Sequence, residues 1–305
     1  MPRPAWLKTR LPSGETSRDV AALLTRLRLH TVCASARCPN LGECWGRGTA
    51  TFMILGDVCT RHCGFCAVTT GNPGGARDET EPDRIAEAVR ELKLKHVVIT
   101  SVDRDDLPDL GAEAFAAVIR GIGQIGPIGA DSQPTVEVLT PDFGAREELL
   151  ETVLSAHPDV FAHNVEVVRE LSPRVRDRRA GYDLSLQMLS RAKQLRPEQL
   201  TKSGLMVGLG ETHEQVVRTL KDLRRNQVDV VTVGQYLRPA RVNLPVVEYV
   251  TPAQFEEYGQ IARGLGFRTV FSAPLVRSSW HAEEAVQREA SALDRRTSGS
   301  CRASN

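Results

Sequence analysis

The chain lacks an excess of either charge, a long apolar run, and an internal repeat beyond a strand–helix unit. Lys and Arg total 39 against 38 for Asp and Glu in 305 residues, so no global field favours nucleic acid or an anionic membrane. No run reaches the roughly eighteen apolar residues of a membrane span, and the N-terminus lacks the apolar stretch of a secretory signal. We therefore expect a soluble, cytoplasmic protein with neither a nucleic acid nor a membrane as partner.

Cysteine is also scarce, yet six of the seven cysteines fall into two triplets. The triplets are Cys33, Cys38, Cys44 with the spacing CxxxxCxxxxxC, and Cys59, Cys63, Cys66 with the spacing CxxxCxxC. In a reducing compartment, grouped cysteines are more often metal ligands or catalysts than disulfides. Three thiolates on one loop can hold three corners of a [4Fe–4S] cluster and leave one iron without a protein ligand. The two triplets therefore predict two clusters, each with an iron open to chemistry.

The alternative for the CxxxCxxC triplet is a structural zinc site. Such sites usually join two pairs of ligands into a closed tetrahedron, and Cys63 with Cys66 could supply one pair. The sequence has no matching second pair, although His62 and His30 leave a mixed site open. The seventh cysteine, Cys301, lies in a polar tail and is interpreted as a free thiol.

Short β-rich runs alternate with longer segments of helical periodicity. The predicted strands are 51–55, 96–101, 135–139, 160–164, 203–208, 229–234 and 268–271. The predicted helices are 83–94, 112–122, 145–155, 182–195, 211–226 and 252–265. Strand–helix repetition requires parallel strands and right-handed crossovers. Six such units are too few for a closed eightfold barrel, so the count favours an α/β fold with an open or partial (β/α)6 barrel, and a doubly wound sheet is the competing architecture.

The same pattern predicts three parts of the chain. Residues 1–50 form an N-terminal extension that carries the first triplet, residues 51–275 form the barrel, and residues 276–305 form a C-terminal extension with a disordered tail. We expect both ends to be peripheral. Functional residues of parallel α/β folds lie on loops after the carboxyl ends of strands, so the CxxxCxxC loop, which follows the first predicted strand, belongs to that rim.

The segment Cys59-Thr-Arg-His-Cys63-Gly-Phe65-Cys66 resembles the signature of radical S-adenosylmethionine enzymes. The resemblance implies that the iron without a protein ligand binds the amino and carboxylate groups of S-adenosylmethionine. It also implies that one electron from the cluster cleaves the sulfonium, and that the radical so formed abstracts hydrogen from an unactivated carbon. The partial barrel expected for that superfamily agrees with the count of strands and helices.

The first triplet narrows the resemblance to one family. The segment Cys33-Ala-Ser-Ala-Arg-Cys38-Pro-Asn-Leu-Gly-Glu-Cys44 is similar to the auxiliary-cluster motif of lipoyl synthases. Residues 100–107, 163–166, 201–212, 234–239 and 277–282 resemble further segments of the same family. Two positions depart from it, because Asn243 stands where a His is common and Trp280 stands in place of a Tyr.

This resemblance implies that sulfur is inserted at carbons six and eight of an octanoyl chain bound to a carrier-domain lysine. An octanoyl carbon has no acidic proton and no leaving group, so neither a general base nor a nucleophile can activate it, whereas hydrogen abstraction can. The implied cofactors are two [4Fe–4S] clusters and S-adenosylmethionine, with the auxiliary cluster as the sulfur source. The protein is then both catalyst and reagent.

The resemblance also assigns site residues. A serine of the Arg-Ser-Ser element would be the fourth auxiliary ligand, which places it at Ser279 with Ser278 as the fallback; the alternative is that both serines cap a turn. The catalytic residues would be Cys59, Cys63, Cys66 and Ser279. The candidate contacts to S-adenosylmethionine are Phe65, Ser101, Glu137, Asn164 and Lys202, and Glu137, Asn164 and Lys202 could equally anchor loops.

Two weaker signals lie near strand ends. Asp103, Asp105 and Asp106 lack the glycine and the distal glutamate of a calcium-binding loop, so they predict a rim loop that uses carboxylates and Arg104 for polar contacts. Residues 208–210, Gly-Leu-Gly, predict a tight strand-to-helix turn, and under the family resemblance they would let the backbone approach the adenosyl group.

The implied partners are octanoylated lipoyl carrier domains, as in the acyltransferase subunits of 2-oxoacid dehydrogenases and in the glycine cleavage H protein. A reducing ferredoxin or flavodoxin and an iron–sulfur carrier for cluster repair complete the set. Two rival hypotheses remain. The first is a biotin-synthase-like enzyme, but such an enzyme lacks the first triplet. The second is a non-catalytic iron–sulfur carrier, but such a carrier is usually much smaller and binds every iron of its cluster through cysteine.

Overall fold

A computed structural model describes residues 3–7, 15–32, 40, 51–128, 133–279, 282–284 and 286. Cys33, Cys38, Cys44, Trp280 and Cys301 lie outside the described residues. Within the part of the chain that is described, no helix is both long enough and apolar enough to cross a membrane.

The described residues form ten strands, arranged in one large and one small sheet. They are β1 (His30–Thr31), β2 (Thr51–Ile54), β3 (Val58–Cys59), β4 (Thr69–Thr70), β5 (His96–Ser101), β6 (Thr135–Leu139), β7 (Val160–Ala162), β8 (Leu200–Val207), β9 (Val230–Gln235) and β10 (Thr269–Ser272). The large sheet has the order β1-β2-β5-β6-β7-β8-β9-β10, and only β1 is antiparallel to its neighbour. The pair β3–β4 is separate and parallel.

Eight helices accompany the strands in the described residues. They are α1 (Glu15–Arg26), α2 (Glu81–Glu91), α3 (Ala112–Gly123), α4 (Glu147–Leu154), α5 (Ser172–Val175), α6 (Tyr182–Leu195), α7 (His213–Arg225) and α8 (Pro252–Gly264). One longer helix follows each of six strands, namely β2, β5, β6, β7, β8 and β9, and β10 is the last strand of the sheet. The six predicted strand–helix units are therefore confirmed.

The strand order decides between the two predicted architectures. From β2 to β10 each parallel strand pairs with its neighbour in sequence, without the reversal that defines a doubly wound sheet. Among the described residues, β10 does not pair with β1 or β2, so the barrel is open. The partial barrel is confirmed and the doubly wound sheet is excluded.

The two faces of the sheet carry different layers. On β9, Val231 and Val233 pack in the cluster that contains the helices α6, α7 and α8, whereas Val230 packs on the opposite face with Val160 of β7 and Phe271 of β10. This alternation along a strand gives the barrel an outer helix layer and a filled interior. The loops after the strands' carboxyl ends are left to form the rim.

The N-terminal helix is more central than the sequence predicts. In α1, Val20, Leu23 and Leu24 are buried in the same apolar cluster as Phe52 of β2. The expectation that this end is peripheral is therefore wrong for α1, because its apolar face covers the edge of the sheet where the barrel begins.

Strand ends differ from the predictions where polar side chains are buried. β7 stops at Ala162 rather than at residue 164, because the His163 ring leaves the sheet to contact the Thr140 carbonyl and the Ser185 hydroxyl, both at 2.9 Å. β8 begins at Leu200, earlier than predicted, because Lys202 is buried within the strand beside a carboxylate.

The turn between β8 and α7 depends on glycine. Gly208 has φ +102, and a Cβ there would lie 2.5 Å from the Glu248 carbonyl oxygen. A residue with a side chain fits neither the backbone conformation nor the space. Packing within the chain therefore explains this glycine, as the tight-turn interpretation predicts.

Candidate active site

The three cysteines of the CxxxCxxC segment lie on one loop beyond the carboxyl end of β2. Pairing of Cys59 in β3 with Thr70 in β4 closes the loop, and Gly71 N donates to the Cys59 carbonyl at 2.9 Å. All three thiols are free and partly buried. The structure thus brings the triplet together at the rim, where the sequence predicts it.

Each thiol accepts one backbone N–H. The donor–acceptor pairs are Arg61 N to Cys59 Sγ at 3.4 Å, Asp177 N to Cys63 Sγ at 3.3 Å, and Val68 N to Cys66 Sγ at 3.5 Å. Hydrogen bonds to cluster sulfurs stabilise their negative charge and tune the reduction potential. This donor set fits three corners of a [4Fe–4S] cluster.

Burial raises the pKa of all three thiols. The pKa of Cys59 rises to about 11 and that of Cys63 to about 12, and the pKa of Cys66 rises for the same reason. The nearby Asp103 carboxylate adds to the increase at each thiol. The metal-free thiols are therefore protonated at neutral pH, and iron binding must release protons.

The described side chains give no support to a single-ion zinc site. Among them, no group of three or more His, Cys, Asp and Glu residues converges closely enough to hold one metal ion. His62 Nδ1 instead contacts the Thr70 hydroxyl at 3.1 Å. Cubane ligands are spread over separate iron atoms, so three thiols on one loop suit a cluster better than one ion.

Arg61, inside the cysteine loop, ties that loop to the ends of two strands. Its guanidinium lies 2.5 Å from Asp142, 2.9 Å from Asp105 and 3.3 Å from Asp103, and its side chain is only 6% exposed. Asp103 and Asp105 follow β5, and Asp142 follows β6. Nothing in the local sequence pairs Arg61 with Asp142, 81 residues away. The predicted polar rim loop is confirmed, since Arg104 also bonds Asp106 at 2.8 Å.

Two further segments hold the other side of the cysteine loop. Gly64 N donates to the Val175 carbonyl at 2.9 Å, and Leu244 N donates to the Gly64 carbonyl at 3.0 Å. Asn243 Nδ2 donates to the Cys66 carbonyl at 2.7 Å. Asn243, which departs from the family's usual His, is thus a direct anchor of the loop.

A cavity of about 140 Å³ opens beside the cysteine loop. Its lining includes Cys63 and three of the residues predicted to contact S-adenosylmethionine, namely Phe65, Ser101 and Asn164. Ser101 Oγ and Asn164 Oδ1 are buried and have no hydrogen-bond partner among the described residues. Unpaired buried polar atoms are costly in a protein interior unless a ligand or water satisfies them. These two atoms therefore point to a polar ligand in the cavity.

The sequence interpretation missed two carboxylates in the same lining. Burial raises the pKa of Asp103 to about 6, although Arg61 opposes the shift. Burial also raises the pKa of Glu166, and here Arg176 opposes it. Two carboxylates suit the ammonium and sulfonium groups of S-adenosylmethionine. Asp103 belongs to the predicted polar rim loop, and Glu166 is the last residue of the segment 163–166, which resembles the family. Only the fold brings these two carboxylates together.

Glu137 and Lys202 lie apart from this cavity. Lys202 Nζ is 2.9 Å from both Glu137 carboxylate oxygens, and the two side chains are 1% and 0% exposed. They join β6 to β8 inside the barrel, and neither is among the residues that line the cavity. The structure gives each a partner within the protein, and a contact with S-adenosylmethionine stays a prediction for both.

The Arg-Ser-Ser element reaches the cavity. Asn164 Nδ2 donates to Ser278 Oγ at 2.7 Å, and Ser279 is partly buried beside it. Among the described contacts, none engages the Ser279 hydroxyl. Asn40, between Cys38 and Cys44 in sequence, donates from Nδ2 to the Leu275 carbonyl at 2.8 Å. The residue inside the first triplet thus lies close to the segment that leads into the two serines.

Comparison with known proteins agrees with this site. Residues 53–223 match the model of the radical SAM superfamily, and residues 2–38 match that of the N-terminal domain of lipoyl synthase of the radical SAM family. The chain is 53% identical to the lipoyl synthase of Thermus thermophilus, over 94% of this chain and 88% of that protein. It is 56% identical to the lipoyl synthase of Pyrobaculum arsenaticum, over 92% of this chain and 94% of that one.

The chain belongs to the lipoyl synthase family of the radical SAM superfamily. It is accordingly a sulfurtransferase that uses S-adenosylmethionine and [4Fe–4S] clusters. Lipoyl synthases use a lipoyl carrier protein as substrate and need a reductant, and both requirements apply to this family member.

Solved structures support the fold alone. The [FeFe]-hydrogenase maturase HydG matches with a TM-score of 0.57 at 15% identity, over 71% of this chain and 49% of that one. SuiB of Streptococcus suis, bound to S-adenosylmethionine, matches with a TM-score of 0.55 at 10% identity, over 76% of this chain and 54% of that one. The chain thus spans about half the length of each of these proteins.

Proposed function

We propose that this lipoyl synthase family member inserts sulfur at carbons six and eight of an octanoyl group carried on a lysine of a lipoyl carrier domain. We further propose that Cys59, Cys63 and Cys66 hold the cluster that binds S-adenosylmethionine. One observation carries the assignment: three free thiols share one rim loop, and each accepts a backbone N–H beside a cavity with unpaired polar atoms.

When bound, the cluster and S-adenosylmethionine supply the power to abstract hydrogen from an unactivated carbon, and the auxiliary cluster supplies sulfur. The protein's part is to position S-adenosylmethionine and to neutralise its positive charges. Ser101 Oγ would donate or accept a hydrogen bond with a polar group of S-adenosylmethionine, Asn164 Oδ1 would accept one, and Phe65 would pack against the cofactor. Asp103 and Glu166 would offset its positive charges. Arg61 keeps the cysteine loop at a fixed distance from these groups.

The auxiliary cluster would be held by Cys33, Cys38, Cys44 and Ser279. The contact of Asn40 with the Leu275 carbonyl supports this set, because it places the residue between Cys38 and Cys44 in sequence close to the segment that leads into the Arg-Ser-Ser element. Ser278 is already bonded to Asn164, which leaves the Ser279 hydroxyl available as the ligand. A serine oxygen is a harder ligand than a thiolate, so it should leave iron more readily when the cluster is dismantled.

The remaining assignments follow from family membership. We propose residues 1–50 as the extension for the auxiliary cluster, 51–275 as the barrel and 276–305 as the C-terminal extension. The proposed carriers are the acyltransferase subunits of 2-oxoacid dehydrogenases and the glycine cleavage H protein, with ferredoxin or flavodoxin as the reductant and a separate carrier for cluster repair. We propose a cytoplasmic location, because cysteine triplets that hold clusters suit a reducing compartment.

The decisive experiment is mass spectrometry of an octanoyl-lysyl peptide after one turnover with anaerobically reconstituted protein, S-adenosylmethionine and dithionite. The proposal predicts a gain of two sulfur atoms, together with methionine and 5'-deoxyadenosine. A peptide that gains no sulfur would contradict it, and protein that also fails to cleave S-adenosylmethionine would instead be an iron–sulfur carrier.

Two substitutions separate the roles of the triplets. Cys63→Ala should abolish cleavage of S-adenosylmethionine, whereas Cys38→Ala should retain cleavage but insert no sulfur. Ser279→Ala should behave like Cys38→Ala, and Ser278→Ala should keep sulfur insertion. The opposite pattern for the two cysteines would show that the triplets have exchanged roles.

A further inference from the structure

Four exposed arginines lie on two segments whose backbones contact the cysteine loop. They are Arg174, Arg178, Arg238 and Arg241, and we call them the arginine rim. The first segment touches the loop through Gly64 N and the Val175 carbonyl at 2.9 Å, and the second through Leu244 N and the Gly64 carbonyl at 3.0 Å. Both contacts involve the same loop residue, so the two segments that carry the arginines meet at one part of the rim.

The arginine rim carries charge that no described carboxylate neutralises. Arg174 and Arg238 bond only carbonyl oxygens in the described structure, and Arg178 and Arg241 have no side-chain partner there. Several exposed arginines elsewhere do have carboxylate partners, as Arg263 has Glu256 at 2.7 Å and Arg191 has Glu147 at 2.7 Å. Since the whole chain has a formal charge of only +1, the rim is a local excess of positive charge.

Two exposed valines accompany these arginines. Val242 is 93% exposed and Val247 is 51% exposed, and both belong to the segment that follows β9. Val247 lies against Gly210, where the Arg174 guanidinium also approaches, so the valines and arginines share one surface. Exposed apolar side chains beside arginines that have no described carboxylate partner are typical of a protein-binding site.

We propose that the arginine rim, with Val242 and Val247, docks an acidic face of the carrier domain that bears the octanoyl-lysine. This inference rests on the proposed function. The acyl chain is tethered to a folded domain, so the domain body must rest on the rim while the lysyl arm enters. An acidic electron donor is the competing occupant, but a donor needs only to approach within electron-transfer distance and does not have to cover the opening.

The test compares binding of the octanoylated carrier domain by wild-type protein and by Arg178→Glu/Arg241→Glu, both anaerobically reconstituted and without reductant. The docking model predicts that the double variant binds the domain about tenfold more weakly or worse, and loses most of the salt dependence of the wild type. Arg90→Glu/Lys221→Glu reverses the same number of charges on exposed helix positions and serves as the matched control.

Turnover of a short, uncharged octanoyl-lysyl peptide with dithionite keeps the two proposals separate. The double variant should process this peptide at the wild-type rate, which also shows that it folds and loads its clusters. Equal binding of the carrier domain by the variant and the wild type would overturn the docking proposal, as would a defect that appears only when flavodoxin replaces dithionite. Failure of the wild type on the peptide would instead refute the proposed function.

Discussion

The Asn243 side chain fixes the last cysteine of the CxxxCxxC loop: its Nδ2 donates a hydrogen bond to the Cys66 carbonyl at 2.7 Å, across 177 residues of sequence. The same segment bonds Gly64 through Leu244 N, and the Tyr236 hydroxyl holds the Leu244 carbonyl at 2.8 Å. The loop that carries the thiols is thus braced by a loop at the far end of the barrel.

Removing this brace should loosen the cluster. Asn243→Ala leaves the Cys66 carbonyl without its donor, so we expect a chelator to remove iron from the reconstituted protein roughly threefold to tenfold faster. Asn226→Ala, which removes a similar bond to the Asp222 carbonyl at the end of α7, is the matched control. Iron release at the same rate in all three proteins would show that the contact does not brace the cluster.

Arg61 and Asp142 should contribute most to the stability of the rim. Their side chains are 6% and 1% exposed, so Arg61→Ala leaves a buried carboxylate unpaired. We expect a loss of about 3 to 5 kcal/mol in the free energy of unfolding, measured in urea on metal-free protein. The exposed pair of Arg120 and Glu113 provides the control, because Arg120→Ala should cost less than about 1 kcal/mol. Similar losses in both variants would contradict the account.

The unpaired atoms of the cavity predict an effect on cofactor affinity. Asn164→Ala and Ser101→Ala should each weaken S-adenosylmethionine binding about threefold to tenfold, measured by equilibrium dialysis with reconstituted protein. Ser272→Ala is the control, since that hydroxyl bonds the Phe255 carbonyl at 2.6 Å in the helix layer. Unchanged affinity in both cavity variants would mean that the ligand binds elsewhere.

His163 predicts a dependence of stability on pH. Burial lowers its pKa to about 4, with a smaller effect from Arg176. Between that value and the ordinary pKa near 6.5, the unfolded chain binds a proton and the folded chain does not, so stability falls as the pH drops through this window, by up to about 3 kcal/mol. The free energy of unfolding, measured in urea, should differ less between pH 4.5 and pH 7.5 for His163→Gln than for the wild type. His213→Gln on the surface is the control, and an undiminished difference in His163→Gln would be evidence against this origin.

The sequence could predict what depends on local pattern. The strands 96–101 and 135–139 and the helix 182–195 have the predicted bounds, because apolar periodicity and clear breaks mark each one. The position of the cysteine loop after a strand was predictable for the same reason. The small pair β3–β4, with two residues in each strand, was missed because so few residues give no periodicity.

The site's supporting contacts could not be predicted, because they join distant parts of the chain. Arg61 meets Asp142, and Lys202 meets Glu137 across 65 residues, and each residue alone looks like a solvated charge. Asn243 appeared only as a departure from the family pattern. Four strands separate β2 from β9 in the sheet, and only the folded barrel brings the loops that follow them into contact.

The most direct test of the account is anaerobic iron and sulfide analysis, with Mössbauer spectroscopy, of the reconstituted full chain. Two clusters, each held by three cysteines, predict about eight iron atoms per chain, all in [4Fe–4S] form, and about four after joint replacement of Cys33, Cys38 and Cys44 by Ala. About four iron atoms in the wild type, or bound zinc in place of iron, would contradict it.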